Sequence, residues 1–312
     1  MGDAMSDQRK PVVVVGSVTM DLVTRTPAIP RIGQTVIGTS FETTPGGKGA
    51  NQAVAAARLG YPVEMLGLVG SDAFGPQLIE NLQRAGVGTS AMAAVEGSSG
   101  LAPLMVAATG ENSIVVVPGA NGKVDRAAVD RQAELIRRAG MVLCQLELPI
   151  DTVCHTLSLC AQAGVPVMLD PAPAAPLPDA VWRQVAWFTP NETEAASYVG
   201  EGLSTEETAK LLLAKGLGGV VLKRGSEGAY VAKAGGKAAW VKPFPVKAVD
   251  TVAAGDCFNG AFAVGLLEGR DPWEAARFAN AAAAISVTRR GAQASMPSRE
   301  DVEALLAEQA SA

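Results

Sequence analysis

Residues 125–169 read DRAAVDRQAELIRRAGMVLCQLELPIDTVCHTLSLCAQAGVPVML, and this stretch decides the architecture. Asp125–Arg138 and Asp151–Ala163 have the spacing of helices, while Met141–Leu146 and Val165–Leu169 are short apolar runs. Helical stretches of about 10–15 residues alternating with such runs specify a parallel sheet covered on both faces. Working towards the N-terminus, Phe74–Ala85 extends the pattern as a helix and Val63–Val69 as a strand. Lys48–Leu59 is a helix that follows a Gly-Gly turn and is closed by Gly60. Pro11–Val15 is β-branched and ends at Gly16, the mark of a fully buried parallel strand. Towards the C-terminus, Asp170–Pro178 holds four prolines and is expected to be a rigid surface loop. Helices Glu192–Val199 and Thr205–Lys215 and strand Gly219–Lys223 follow, then a hairpin of Ala229–Lys233 and Ala238–Val241. The last third is helical: Ala253–Glu268, Pro272–Thr288 and Arg299–Glu308.

Two polar excursions interrupt this order. Leu22–Thr26 and Thr35–Thr43 are Thr-rich and have the character of exposed strands. Leu101–Ala107 and Ser113–Val117 form a hairpin turning at Thr109-Gly110. The expectation is one α/β domain over residues 11–309, with lid strands from about 20–43 and 101–117 and a flexible tail at 1–10.

Composition narrows the function. Of 312 residues 48% are hydrophobic and 18% charged, which excludes global disorder. Lys plus Arg is 26 against 31 for Asp plus Glu, a net charge of −5 with no basic stripe, so nucleic acid is not an expected partner. The longest apolar runs, Val12–Val15 and Ala281–Val287, fall far short of the ~20 residues that cross a bilayer. Met1–Lys10 does not read as a signal peptide, and the expected location is cytoplasmic. His155 is the only histidine, which excludes multi-histidine zinc chemistry and leaves it a partly buried helical role. Cys144, Cys154, Cys160 and Cys257 have no CxxC spacing and read as reduced, buried small hydrophobes.

No GxxxxGK[ST] or protein-kinase signature is present, and Gly46-Gly47-Lys48-Gly49 does not complete GxGxxG. Asp250–Asp256 (DTVAAGD) precedes a long apolar helix, where small residues at 253–255 admit an anion to the helix N-terminus. Asp256 in that first turn serves either as a base towards a hydroxyl or as a partner of the helix dipole. Asn191 and Glu194 offer oxygen ligands for Mg²⁺ or, equally, the two halves of a capping box. Gly46–Gln52 (GGKGANQ) is either a plain turn into a helix or a cradle for a polyhydroxylated ligand, with Lys48 and Asn51 at its mouth. Asp21 leaves a buried strand near its carboxyl end, where open α/β sheets bind ligands, or is a turn carboxylate.

These motifs, with Asp170–Ala174 (DPAPA), Pro190–Glu194 (PNETE) and Val287–Gln293 (VTRRGAQ), stand in an order that resembles the ribokinase-like (PfkB-type) carbohydrate kinases over about residues 11–309. The resemblance implies a three-layer α/β/α domain with a mostly parallel central sheet, a small β-sheet lid and a homodimer through the lid strands. It implies ATP-dependent phosphorylation of a pentose 5-hydroxyl, with D-ribose preferred. Asp256 would be the base, charged at neutral pH with an ordinary pKa of about 3.9, and the Ala253, Ala254 and Gly255 amides the anion hole. Thr19, Asp21, Gly47, Lys48, Asn51 and Glu147 match pentose-contacting positions. Asn191 and Glu194 match the Mg-nucleotide region. Lys223, Gly225, Ser226, Gly228, Gly255 and Asn280 match the nucleotide pocket. Asp250, Val252, Ser286, Arg289, Gly291 and Ser295 match a site for K⁺, Val252 and Arg289 through carbonyls.

Three features depart from the pattern or qualify it. Thr19 stands where the family's ribose-specific members carry Asn, and Ser99–Pro103 resembles the lid stretch of deoxyribokinases, so 2-deoxyribose is the alternative substrate. Lys223-Arg224 replaces the more usual Thr-Leu. An inactive sugar-binding regulator is the competing class.

Overall fold

The computed structural model describes residues 9–310. The expected tail therefore lies, up to residue 8, outside the described residues; Arg9 stacks its guanidinium over the Tyr61 ring at 5.1 Å. The strands are β1 (Val12–Val15), β2 (Thr19–Thr26), β3 (Ser40–Gly46), β4 (Val63–Gly70), β5 (Met92–Val95), β6 (Gly100–Ala107), β7 (Asn112–Ile114), β8 (Met141–Cys144), β9 (Val167–Leu169), β10 (Trp187–Phe188), β11 (Gly219–Lys223), β12 (Ala229–Lys233) and β13 (Ala238–Val241). The helices are α1 (Lys48–Arg58), α2 (Phe74–Arg84), α3 (Arg126–Arg131), α4 (Ala133–Arg138), α5 (Ile150–Ala163), α6 (Asp179–Trp182), α7 (Glu192–Val199), α8 (Thr205–Ala214), α9 (Ala254–Leu267), α10 (Pro272–Ser286) and α11 (Arg299–Ala310).

The large sheet has the order β13-β12-β11-β10-β9-β8-β1-β4-β5, antiparallel only at β11-β12-β13. Alternate side chains of a strand point to opposite faces, and the cores divide accordingly. Val12 and Val14 join one core with α1, α2, α9 and α10; Val13 and Val15 join the other with α3 to α8. Three layers result, as expected. A second sheet, β3-β2-β6-β7, forms the lid. Among the described residues no helix is long and apolar enough to cross a membrane.

The differences from expectation have local causes. The second lid strand begins at Ser40 rather than Thr35, because β2 pairs it from Thr19↔Gly46 to Arg25↔Ser40 and then ends at Thr26. Asp125–Arg138 is two helices, broken where Gln132 leaves the helical region at φ −110°. The segment 170–178 is a loop but not wholly a surface one, since Asp170 and Ala172 are buried and Leu146 N–H donates to the Ala172 carbonyl at 3.1 Å. His155 keeps a structural role on α5, its Nε2 2.6 Å from Asp130 Oδ1. All four cysteines are free, and Cys144, Cys160 and Cys257 are buried.

Candidate active site

Open α/β sheets place ligands outside the carboxyl ends of their strands, and here five strand ends converge on one region. Gly16-Ser17 follows β1, Gln145–Glu147 follows β8, Asp170 follows β9, Asn191 follows β10, and Lys223 ends β11. The N-termini of α1 and α9 arrive from above.

Helix α9 begins at Ala253, whose φ of 59° makes it the one non-glycine residue in the left-handed region among those described. A left-handed residue followed by helical ones turns successive N–H groups to one side, which makes an anion-binding concavity at the positive end of the helix. Ala253, Ala254 and Gly255, the residues expected to supply an anion hole, stand at this start, where the Ala254 N–H donates to the Thr251 carbonyl at 3.3 Å. Lys223 closes its side: a Cβ added to Gly255 would lie 3.4 Å from Lys223 Nζ.

Asp256 lies in the first turn of α9 and is 5% exposed. Asn51 Nδ2 donates to its Oδ2 at 2.9 Å and Gln52 Nε2 to its Oδ1 at 3.1 Å. Among the described residues no ion pair ties it up: its charged neighbours Lys48 and Asp170 act through space. Burial, with Asp170 adding to it, pushes its carboxyl above the ordinary aspartate value against the pull of Lys48 and the two amides. The expectation of an ordinary pKa is thus corrected, because burial outweighs the groups that favour the ionised form.

Among the residues expected to meet the sugar, Thr19 Oγ1 donates to Asp21 Oδ1 at 3.2 Å. Burial raises the Asp21 carboxyl to about 6, the Thr19 bond opposing and the Glu147 charge adding to it. Gly46 faces Asp21 so closely that a Cβ would fall 2.6 Å from Oδ2. Gly47, at φ 91°, has no room for a Cβ against the Ser17 carbonyl. Glu147 spends Oε2 on the α1 N-terminus, accepting from Lys48 N at 3.0 Å and from the Ser17 hydroxyl. Burial disfavours the Lys48 ammonium, but Asp256, Asp170, Glu147 and Glu194 outweigh it and hold its pKa above the usual lysine value.

Among the residues expected near the nucleotide, Asn191 and Glu194 make the full capping box of α7, each side chain bonding the other's backbone N–H at 2.8 Å. Glu194 Oε2 is so engaged, and burial raises its carboxyl against the pull of Lys223. Asn191 bridges β11 at Lys223, which donates to Asp170 Oδ1 at 3.0 Å. Gly225 and Ser226 form a 3₁₀ turn, and Gly228 returns the chain with its carbonyl accepting from Arg224 N. Asn280 Nδ2 donates to the Val241 and Lys242 carbonyls at 3.1 Å each, so its amide ties α10 to the end of β13.

Of the residues expected to hold K⁺, Val252 and Gly291 bond directly to Asp250. Its Oδ1 accepts from Val252 N at 3.0 Å and its Oδ2 from Gly291 N at 2.9 Å. The Ser286 and Ser295 hydroxyls donate to the Ala283 and Ala292 carbonyls, keeping their lone pairs, and the Arg289 side chain pairs with Asp301. An all-oxygen donor set of this kind fits a hard cation.

Residues not singled out in the sequence complete the site. Gln52 Nε2 also donates to Asp170 Oδ2 at 2.9 Å, and Gln52 Oε1 accepts from Gln145 Nε2 at 2.7 Å. Gln293 Nε2 donates to Asn51 Oδ1 at 3.2 Å. Asn121 grips both the N–H and the carbonyl of Val18 at 2.9 Å, fixing the root of β2. The available signal was a polar residue closing an apolar strand, as in Met141–Gln145 and Val167–Asp170.

Residues 9–299 match the model of the pfkB family carbohydrate kinase. The chain belongs to the pfkB family of carbohydrate kinases. Among pfkB relatives, it is 45% identical over 95% of its length to a ribokinase of Bacillus subtilis (strain 168), covering 99% of that protein. It is 38% identical to a deoxyribokinase of Salmonella typhimurium, covering 93% of this chain and 96% of that one. The solved structure of Arabidopsis thaliana ribokinase complexed with ribose and ATP superimposes with a TM-score of 0.90, at 36% identity, over 95% of this chain and 98% of that one.

Proposed function

We propose that this pfkB-family kinase transfers the γ-phosphoryl group of ATP to the 5-hydroxyl of D-ribose, giving ribose 5-phosphate and ADP. The observation that carries this reading is the buried Asp256 carboxylate in the first turn of α9, held by Asn51 and Gln52 just after the left-handed Ala253. The ribokinase relatives and the Arabidopsis complex with ribose and ATP support the substrate pair. Asp21, Lys48, Asn51 and Glu147 surround the position of the sugar, Lys48 also supplying positive charge opposite Asp256. Asp256 accepts the hydroxyl proton while the N–H groups of the α9 start and the Lys223 ammonium balance charge on the phosphoryl oxygens. Mg²⁺ bound with the nucleotide would supply charge neutralisation, held in the region of Asn191 and Glu194. A K⁺ held by Asp250, Ser286 and Ser295 with the Val252 and Arg289 carbonyls would fix the loop that leads into Ala253.

A homodimer through the lid fits the apolar side chains it exposes, Phe41 at 63% and Val115 at 61%. Four free thiols fit a reducing, cytoplasmic setting. The reading is tested by ADP release over a panel of pentoses with Asp256→Asn, expected to lower kcat by about 10²–10⁴ with a modest change in KM. Sugar binding without ADP release by the unmodified enzyme would instead indicate a regulator.

Thr19 favours 2-deoxyribose as a second substrate, because its hydroxyl is spent on Asp21 and it has no amide to offer a sugar hydroxyl. Thr19→Asn is expected to raise the ratio of kcat/KM for ribose over 2-deoxyribose; an unchanged ratio removes Thr19 from specificity.

A further inference from the structure

A side-chain amide has nearly the same shape at both ends, and the ends differ only in that one donates and the other accepts. Both amides that hold Asp256 face this ambiguity. Turned by half a rotation, Asn51 or Gln52 would fill the same space but set a carbonyl oxygen against the carboxylate. For Gln52 the reversed amide would oppose Asp170 as well, since its Nε2 serves both carboxylates.

We propose that Gln145 and Gln293 are positioning residues for phosphoryl transfer, each fixing which end of one of these amides faces Asp256. The Gln145 Nε2 donor, 2.7 Å from Gln52 Oε1, forces Gln52 Nε2 towards Asp256. The Gln293 Nε2 donor, 3.2 Å from Asn51 Oδ1, does the same for Asn51 Nδ2. Gln293 is itself oriented from behind, its Oε1 accepting from Asn81 Nδ2 at 2.5 Å. The two glutamines come from unrelated places, the end of β8 and the 3₁₀ turn Gln293–Ser295, yet each presents a donor to the far side of a gripping amide.

Gln145 does this against its own stability. Its Oε1 is buried without a hydrogen-bond partner and lies against Gly16, where an added Cβ would approach to 2.3 Å. A buried unpaired acceptor weakens a fold, so an apolar residue of similar length would serve packing better. Retaining a glutamine there is explained by its donor.

The charged groups around Asp256 are Lys48 from α1, Asp170 after β9, and Lys223 at the end of β11, which acts through Asp170. Glu147 and Glu194 lie further out, around Lys48, and the adjoining Cys257 thiol is pushed by burial to about 12. None of these changes in a Gln→Met variant, so the variant isolates the orientation of the amides.

The proposal rests on Asp256 as the base, and one set of measurements separates the two. Gln145→Met, Gln293→Met and Gln145→Glu are assayed in the full chain with MgATP and ribose, with kcat followed against pH and melting recorded alongside. Gln145→Met and Gln293→Met are expected to lower kcat at neutral pH about tenfold, with KM within about twofold. The acid limb of kcat moves upward, while melting shows whether each variant is folded. Gln145→Glu keeps the volume but can only accept when ionised, so Gln52 reverses and kcat falls further; this variant gives the reading if a Met variant does not fold. Parental kcat and acid limb in folded glutamine variants, with Asp256→Asn inactive, would overturn this proposal alone. An active Asp256→Asn would overturn the base assignment and this proposal with it.

Discussion

Asp21 and Gly46 face each other across the paired start of the lid, with no space between them for a methyl group. The contact keeps the carboxylate away from water, and that burial raises its pKa to about 6. A raised value means that the proton is taken up at a higher pH than by a free aspartate. As pH falls through about 6, Asp21 therefore loses its charge, and kcat/KM for the sugar should fall with it, because that ratio reports groups of the free enzyme. Asp21→Asn should raise KM for the sugar and remove this limb from the residual activity. The sign for stability is opposite. Between 3.8 and about 6 the folded chain binds the proton more tightly than the unfolded one, so the ionised group opposes folding above that window. Asp21→Asn is accordingly expected to melt higher than the parent at neutral pH; a lower melting temperature and an unmoved limb would contradict both signs.

The crossing of α9 over α1 sets the distance from Asp256 to its two amides. Gly260 makes the crossing close: a Cβ there would meet the Gln52 carbonyl at 2.7 Å and Ala55 Cβ at 2.8 Å. The first obstacle is backbone, so the helices would have to part. Gly260→Ala should cost about 1–3 kcal/mol and lower kcat as well, since parting the helices draws Asn51 and Gln52 away from the base. Denaturant melts and initial rates check the pair; a stable variant with reduced kcat, or an unstable one with parental kcat, would separate packing from geometry. At this scale the sequence was largely readable. Helix Glu192–Val199 and strands Gly219–Lys223, Ala229–Lys233 and Ala238–Val241 lie at the expected bounds, because capping residues, glycines and apolar alternation mark them. Strands β5 and β10 and helix α6 carry little signal: β5 (MAAV) is half alanine, β10 is two residues long and α6 is a single turn. The amide network was hidden for another reason. Gln145 and Gln293 are single polar residues in unremarkable surroundings, and only the fold brings them behind Gln52 and Asn51.

At the scale of the molecule, the two faces of the large sheet are covered by helices while the small sheet is not. Phe41, Ile114, Val115 and Val116 stand exposed on or beside its outer strands β3 and β7. Solvent-facing apolar side chains of this kind suit the lid-to-lid association proposed above. Pairing of two lids would bury them, and Val115→Lys should shift sedimentation towards the monomer with the melting of the body unchanged. A monomeric parent chain would remove this surface from the argument.

Strand β2 runs unbroken from Thr19 and Asp21 out to Thr26, bonded to β3 along one side and β6 along the other. Its base is clamped to the body by Asn121. The carboxylate proposed to meet the carbohydrate and the small sheet beside it are therefore carried by one continuous strand, anchored at Val18. A ligand that takes hold of Asp21 would thus pull on the same backbone that β3 and β6 flank as far as Thr26.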